Sequence, residues 1–339
     1  MSEILIHYIS KKKYFTMAFF NERIDSFPFA MYEKGDLPQH LYKSKSCSWE
    51  NFRVQQNALE MGNLIRLFPL LIGSEIPDDD DKWDIALSFV ELCLFLLSPV
   101  FSSGRALHLV SVIDDFMTSL YEAFPHVSVK PKGHYLTHYP HQILTCGPPV
   151  DHGTIRFEGK HHYFVSVYNR SNNRINVTKS LATHHQYMMY LHYKKEFILS
   201  YDNINTVFSK TVTVDDLSDE VSALVRTVTR MPRITIFDGV TYEGIHYRTG
   251  NALVIRFDEE DLLFGQVELM FVYHDLLYVV YTLLETIFGP HLNAYEITGL
   301  YSKGISSTSA LADSFPLGVY DVDNSSFFTI RHEIMKSVH

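Results

Sequence analysis

Cysteine is scarce in this chain: three in 339 residues (Cys47, Cys93 and Cys146), with no two at CxxC spacing. That is too few for a disulfide framework and offers no zinc knuckle, and it suits a reducing compartment. Long apolar runs are lacking as well. The longest, Ile85 to Val100, carries Glu91 in its middle and Ser98-Pro99 near its end. A membrane span needs about 20 apolar residues almost free of charge, so the run reads as a buried helix and no membrane partner is expected. There is no export signal either, because the lysines of Met1 to Lys13 follow the apolar stretch instead of preceding it. The sequons at Asn169, Asn176 and Asn324 therefore carry little weight, and an intracellular protein, nuclear or cytoplasmic, is expected. Enzyme signatures are missing: no GxSxG, no P-loop, no GxGxxG, and no partner suited to activating the thiol of Cys47 or Cys93.

What is present is enough to fold. With 46% hydrophobic and 20% charged residues, the chain lies outside the composition of disordered proteins. Its formal charge of −10 is unevenly placed. Residues 232–339 hold six Lys or Arg against 14 Asp or Glu, whereas Lys130 to His185 holds seven basic residues against two acidic ones. A local excess of five positive charges in an acidic chain is where an anionic partner would be steered, although a merely solvated basic face has the same signature. The acidic total argues against strong nonspecific DNA binding by the surface as a whole, since that affinity comes mainly from phosphate neutralisation.

Periodicity divides the chain into a mostly helical region at 1–200, a linker at 201–231 and an acidic β-rich module at 232–339. The fold class expected is α+β, with the strands forming a small barrel or sandwich. Helices are expected over Glu3 to Ile9, over Thr16 to Ser26 with Thr16 as N-cap, and over Trp49 to Ile72, where Pro69 should kink or end the run. Asp78 to Asp81 can cap the next helix, Trp83 to Leu97. Gly104 to Phe124 follows, with Leu107, Val110, Asp114 and Met117 at helical spacing. Further helices are expected over Gly133 to Cys146, Ile155 to Asn169 and Asn176 to Phe197. Strands are expected over Arg233 to Phe237, Ala252 to Phe257, Phe264 to Tyr273 and Leu276 to Leu283. Asp238-Gly239, Thr249 to Asn251, Asp258 to Asp261 and a two-residue turn at His274-Asp275 separate them.

Eight of the 18 histidines fall between His134 and His185. His134 and His138 are four apart and could share a helix face, a spacing that can bind zinc, but the adjacent Glu of HExxH is absent. The competing reading is a packed Tyr/His surface with satisfied hydrogen bonds. Glu158 lies between Arg156 and Lys160, with His161 and His162 behind it. Nearby positive charge keeps such a carboxylate ionised, as a metal ligand or general base requires, but also as any salt-bridged helix residue would be.

Four strings carry a resemblance. They are Lys130-Pro-Lys-Gly-His-Tyr-Leu-Thr-His-Tyr-Pro, then Gly147-Pro148, then Ile155-Arg-Phe-Glu-Gly-Lys-His, then Ser180-Leu-Ala-Thr-His-His-Gln. Together they resemble the C-terminal half of transposon-derived animal proteins related to CACTA-like DDE transposases. Tyr14-Phe-Thr through Asn21-Glu-Arg-Ile, Leu64 to Gly73, Phe264-Gly-Gln-Val-Glu and Leu276 to Glu285 follow the same pattern. The family's usual bulkier residues are replaced by Gly133 and Gly159, and a common Lys by Val165.

The resemblance implies a site of three carboxylates around two metal ions. Only Glu158 maps onto that set, as its last member; the earlier acidic motifs would precede Met1. Asp114, Asp115 and Asp151 are the other acids in reach of the idea, and nothing in the sequence places them beside Glu158. One carboxylate does not hold two divalent ions, so no cofactor and no strand cleavage are expected from this chain alone. The function expected is a noncatalytic, transposase-derived module. It would bind nucleic acid through Lys130, Lys132, Arg156, Lys160, Arg170 and Arg174, with Tyr135, Tyr139, Tyr163 and Phe164 for stacking, or bind protein through the acidic C-terminal part. The alternative is a Mg2+- or Mn2+-dependent nuclease or transposase completed by another chain.

Overall fold

The computed structural model describes residues 1–126, 131–153, 155–171, 175–198, 204–259 and 261–334. Helix α1 (Ser2–Ile6) runs into a wider turn, His7–Lys12, that Lys13 ends in a left-handed conformation (φ 59°). Helix α2 (Met17–Ser26) starts where expected, because the Thr16 hydroxyl accepts the Phe19 N–H at 3.1 Å. Helix α3 (Ala58–Ile72) starts nine residues later than the periodicity predicts. Asn57 accepts the N–H groups of Leu59 and Glu60 at 2.9 Å, and Glu60 accepts the Asn57 N–H at 2.8 Å. This capping box fixes the start and leaves Trp49–Asn51 as a single turn, with Phe52 buried outside the helix. Pro69 does not end the helix; it sits within the last turn.

Helix α4 (Asp81–Leu96) is capped by Asp80, which accepts the Lys82 N–H at 3.1 Å, and α5 (Ser103–Ala123) by Ser102. The buried stripe of α5 is Ala106, Leu109, Ile113 and Phe116. It is turned one residue from the expected stripe, so Leu107 and Val110 face solvent. Helices α6 (Pro131–His134), α7 (Tyr139–Cys146), α8 (Ile155–Arg170) and α9 (Val177–Ile198) follow. Among the described residues, no helix is long and apolar enough to cross a membrane.

The segment read as a linker contains strand β1 (Ile204–Thr213) and helix α10 (Asp219–Val228). Val221 and Val225 on α10 pack with Ile234, Phe271 and Val280 of the sheet. The other strands are β2 (Arg233–Tyr242), β3 (Ile245–Arg248), β4 (Ala252–Asp258), β5 (Asp261–Tyr273) and β6 (Leu276–Gly289), then β7 (Ala294–Ser307), β8 (Asp313–Leu317), β9 (Val319–Val322) and β10 (Ser325–Phe328). All belong to one antiparallel sheet in the order β1-β2-β5-β6-β7-β10-β9, with β3 on β2, β4 on β5 and β8 on β4. The architecture is α+β. His274 and Asp275 both have positive φ (49° and 61°), the geometry of the two-residue turn expected there. Asp238-Gly239 is not a turn: it lies inside β2, and the chain reverses at Glu243-Gly244, again with both φ positive.

The helices and the sheet share a core. Ala294, Tyr320 and Phe327 pack in one cluster with Phe20, Phe68 and Trp83. Polar contacts pin the same seam. Trp83 donates to the His291 carbonyl at 2.9 Å, and His291 Nε2 lies 2.9 Å from the Gly73 carbonyl. Deeper in, Arg66 donates to Tyr320 (3.2 Å) and Thr329 (2.8 Å) and is paired with Glu33, which also accepts from Tyr320 at 2.6 Å.

Candidate binding surfaces

The residues predicted to bind nucleic acid fall on α6, α8 and the segments beside them. Lys130 and Arg174 lie outside the described residues, as do the side chains of Lys132, Arg156 and Glu158. The metal-site role considered for Glu158 therefore rests on sequence alone. Lys160 and Arg170 are placed. The Lys160 ammonium stands 4.7 Å from the centre of the Tyr163 ring, and Arg170 is exposed at the end of α8. Tyr163 neighbours Phe164 (5.4 Å between centroids), and Phe164 meets His185 of α9 edge-on at 5.7 Å. That aromatic contact forms part of the seam between the two helices, which pack chiefly on each other.

The rest of α9 is unusual for a surface helix. Tyr187, Met188, Leu191 and Tyr193 are exposed, both tyrosines to 66%. With the exposed Met189 and Tyr190 they circle the helix instead of forming one stripe, so among the described residues no single buried face absorbs them. Residues 155–198 also carry seven Lys or Arg against two Glu. Cations beside exposed aromatic planes can hold a phosphate backbone while bases stack.

His134 and His138 do come together, their Nε2 atoms 3.2 Å apart and their rings edge to face. Among the described residues, no group of three or more His, Cys, Asp or Glu is placed to hold a metal ion. One ring donating to the other accounts for the contact.

The sequence did not announce a second feature. A cleft of about 620 Å³ opens between the α4–α5 loop (Ser98 to Ser102), Glu243 and β3, the Thr308 to Phe315 segment, and His332 to Ile334 after β10. Its apolar lining includes Phe101, Ile245, Leu311 and Phe315. Three acids line it too: Glu243, Asp313 and Glu333. Phe315 donates its N–H to Asp313 Oδ1 at 3.2 Å. Asp313 Oδ2 lies 3.4 Å from His332 Nε2, near enough for an ion pair but not aligned as a hydrogen bond. Burial pushes the Asp313 carboxyl above its usual range, against the pull of His332, and pushes His332 below its own. Burial also raises the Tyr247 hydroxyl, and the charges of Asp313 and Glu243 add to the effect. Glu333 is tied to Arg105 through Oε1, and its backbone is fastened to α4 and the α4–α5 loop through Leu94 and Ser98. Asp313 and His332 are 19 residues apart, so only the folding of the chain, with β8 paired on β4 and β10 on β9 and β7, brings them together, and no local motif could have shown them.

No family model matches this chain, and neither does a curated protein or a solved structure. The likeness to transposon-derived proteins therefore stands on the quoted strings alone.

Proposed function

We propose that this protein is a noncatalytic binding module, of transposase descent, whose α8–α9 pair engages single-stranded nucleic acid. The observation that carries the proposal is the pairing of excess positive charge with exposed aromatic rings on two helices that pack chiefly on each other. Lys160 beside Tyr163, and Tyr187 and Tyr193 on α9, supply cations and stacking surfaces. Base stacking on an aromatic ring contributes about 1–3 kcal/mol per base and tolerates any sequence, so a preference for unpaired strands follows. The acidic sheet region repels phosphate and leaves the strand to the helices.

Fluorescence anisotropy with a labelled single-stranded oligonucleotide, measured across salt concentrations, tests this. Binding should weaken steeply as salt rises. Lys160→Glu with Arg170→Glu should weaken it at least tenfold, and Tyr187→Ala several-fold. Binding left unchanged by both changes would refute the proposal and favour a protein partner for the same apolar surface.

A further inference from the structure

Helix α5 carries a second stripe that the core does not use. Leu107, Val110, Asp114 and Tyr121 recur at intervals of three, four and seven residues, so they lie along one side of the helix. Leu107 is 63% exposed, Val110 45% and Tyr121 46%, and Asp114 is exposed between them. The buried stripe of Ala106, Leu109, Ile113 and Phe116 runs beside it. Single apolar side chains on a surface need no explanation. Three in line along about 20 Å of one helix form the kind of patch that a partner covers.

The neighbouring acids narrow the choice of partner. Asp114, Asp115 and Glu122 are exposed, and none of them forms an ion pair among the described residues. Asp114 is the midpoint of the stripe, so pairing α5 with α5 of another copy would set acid against acid, which is costly. A helix that is both apolar and basic fits better. Helix α9 has both properties: Tyr187, Met188 and Leu191 make an exposed patch one turn long, and residues 177–198 hold three Lys against one Glu. Its 22 residues also match the 21 of α5 in length. In its own chain α9 packs chiefly on α8, and that packing leaves the patch exposed.

We propose that α5 of one copy receives α9 of a second copy, apolar stripe against apolar patch, with the α5 acids drawn to the net positive charge of α9. Each copy offers one surface of each kind, so two reciprocal contacts close a dimer about a two-fold axis. Burial of the apolar side chains drives the association, and charge selects the pairing.

Sedimentation equilibrium of the full chain tests this. It is run without nucleic acid, so its outcome does not depend on whether α9 also takes an oligonucleotide. A concentration-dependent monomer–dimer equilibrium is expected. Leu107→Glu with Val110→Glu on α5 should weaken it at least tenfold, and so should Tyr187→Ala with Leu191→Ala on α9. All four side chains are exposed, so the fold should survive, as circular dichroism would show. Should either variant lose its helices, Asp114→Lys with Asp115→Lys takes its place and should likewise weaken the dimer. Mixing the α5 and α9 variants should restore association above that of either alone, because one keeps an intact α9 and the other an intact α5. A dimer that persists in the α9 variant means that α5 pairs with itself, and one that persists in the α5 variant means that α9 does. Either result would overturn the proposal, as would a monomer at every concentration or no gain on mixing.

Discussion

Arg66 is charged, nearly buried, and surrounded by groups from both halves of the molecule: Glu33 on the loop after α2, Tyr320 on β9 and Thr329 after β10. Glu33 is 1% exposed, so removing its cation strands a carboxylate in the core. Breaking such a pair typically costs about 3–5 kcal/mol, more than the pair itself contributes over an apolar substitute. Arg66→Ala should therefore lower the urea midpoint sharply, and Glu33→Leu with Arg66→Met should recover much of the loss. A second residue-scale expectation concerns acid. Burial, reinforced by the Lys82 charge, holds the His7 imidazole below its usual range, and neither ring nitrogen has a partner among the described residues. The unfolded chain then takes up the His7 proton first, near pH 6.5. Stability is full above that pH and declines as pH falls toward the lowered folded value. Burial of Asp80 opposes its ionisation, but hydrogen bonds from Tyr14, the Lys82 N–H and Tyr8 outweigh this and depress its carboxyl. A further loss should therefore begin below about pH 4. Denaturation curves at pH 7.5 and 5.5 should show a smaller drop in His7→Phe than in the parent chain, with His332 supplying part of what remains.

At the scale of elements, close approach sets the strictest demand. A Cβ added at Gly304 on β7 would lie 2.7 Å from the Tyr281 ring of β6. Gly304→Ala should cost about 1–3 kcal/mol, as overpacking does, and the penalty should shrink in a Tyr281→Leu background; thermal denaturation of the four variants measures that coupling. Elements were legible where local chemistry decides them. Thr16 capping α2, the acidic run capping α4 and the His274-Asp275 turn all stand as read. They were misread where two local signals compete. Trp49 and Phe52 continue the apolar pattern upstream of α3, yet the Asn57–Glu60 capping box overrides it. Asp238-Gly239 has turn composition, but pairing with β1 and β3 carries β2 through it. Helix α10 was missed in the segment read as a linker, although Val221, Leu224, Val225 and Val228 recur at helical spacing on its sheet-facing side.

Across the whole molecule, charge is sorted by architecture. The α8–α9 pair is basic and the sheet region acidic, a separation visible in the linear sequence because each set of charges is contiguous there. The cleft was not visible, since its acids, Glu243, Asp313 and Glu333, come from separate segments that only the sheet brings together.

The most direct measurement is amide hydrogen exchange of the full chain with and without a single-stranded oligonucleotide at low salt. Protection gained along α8 and α9, and not on β4, β8 or the β9–β10 turn, is the result expected. Protection confined to the sheet, or none anywhere at saturating oligonucleotide, would contradict it.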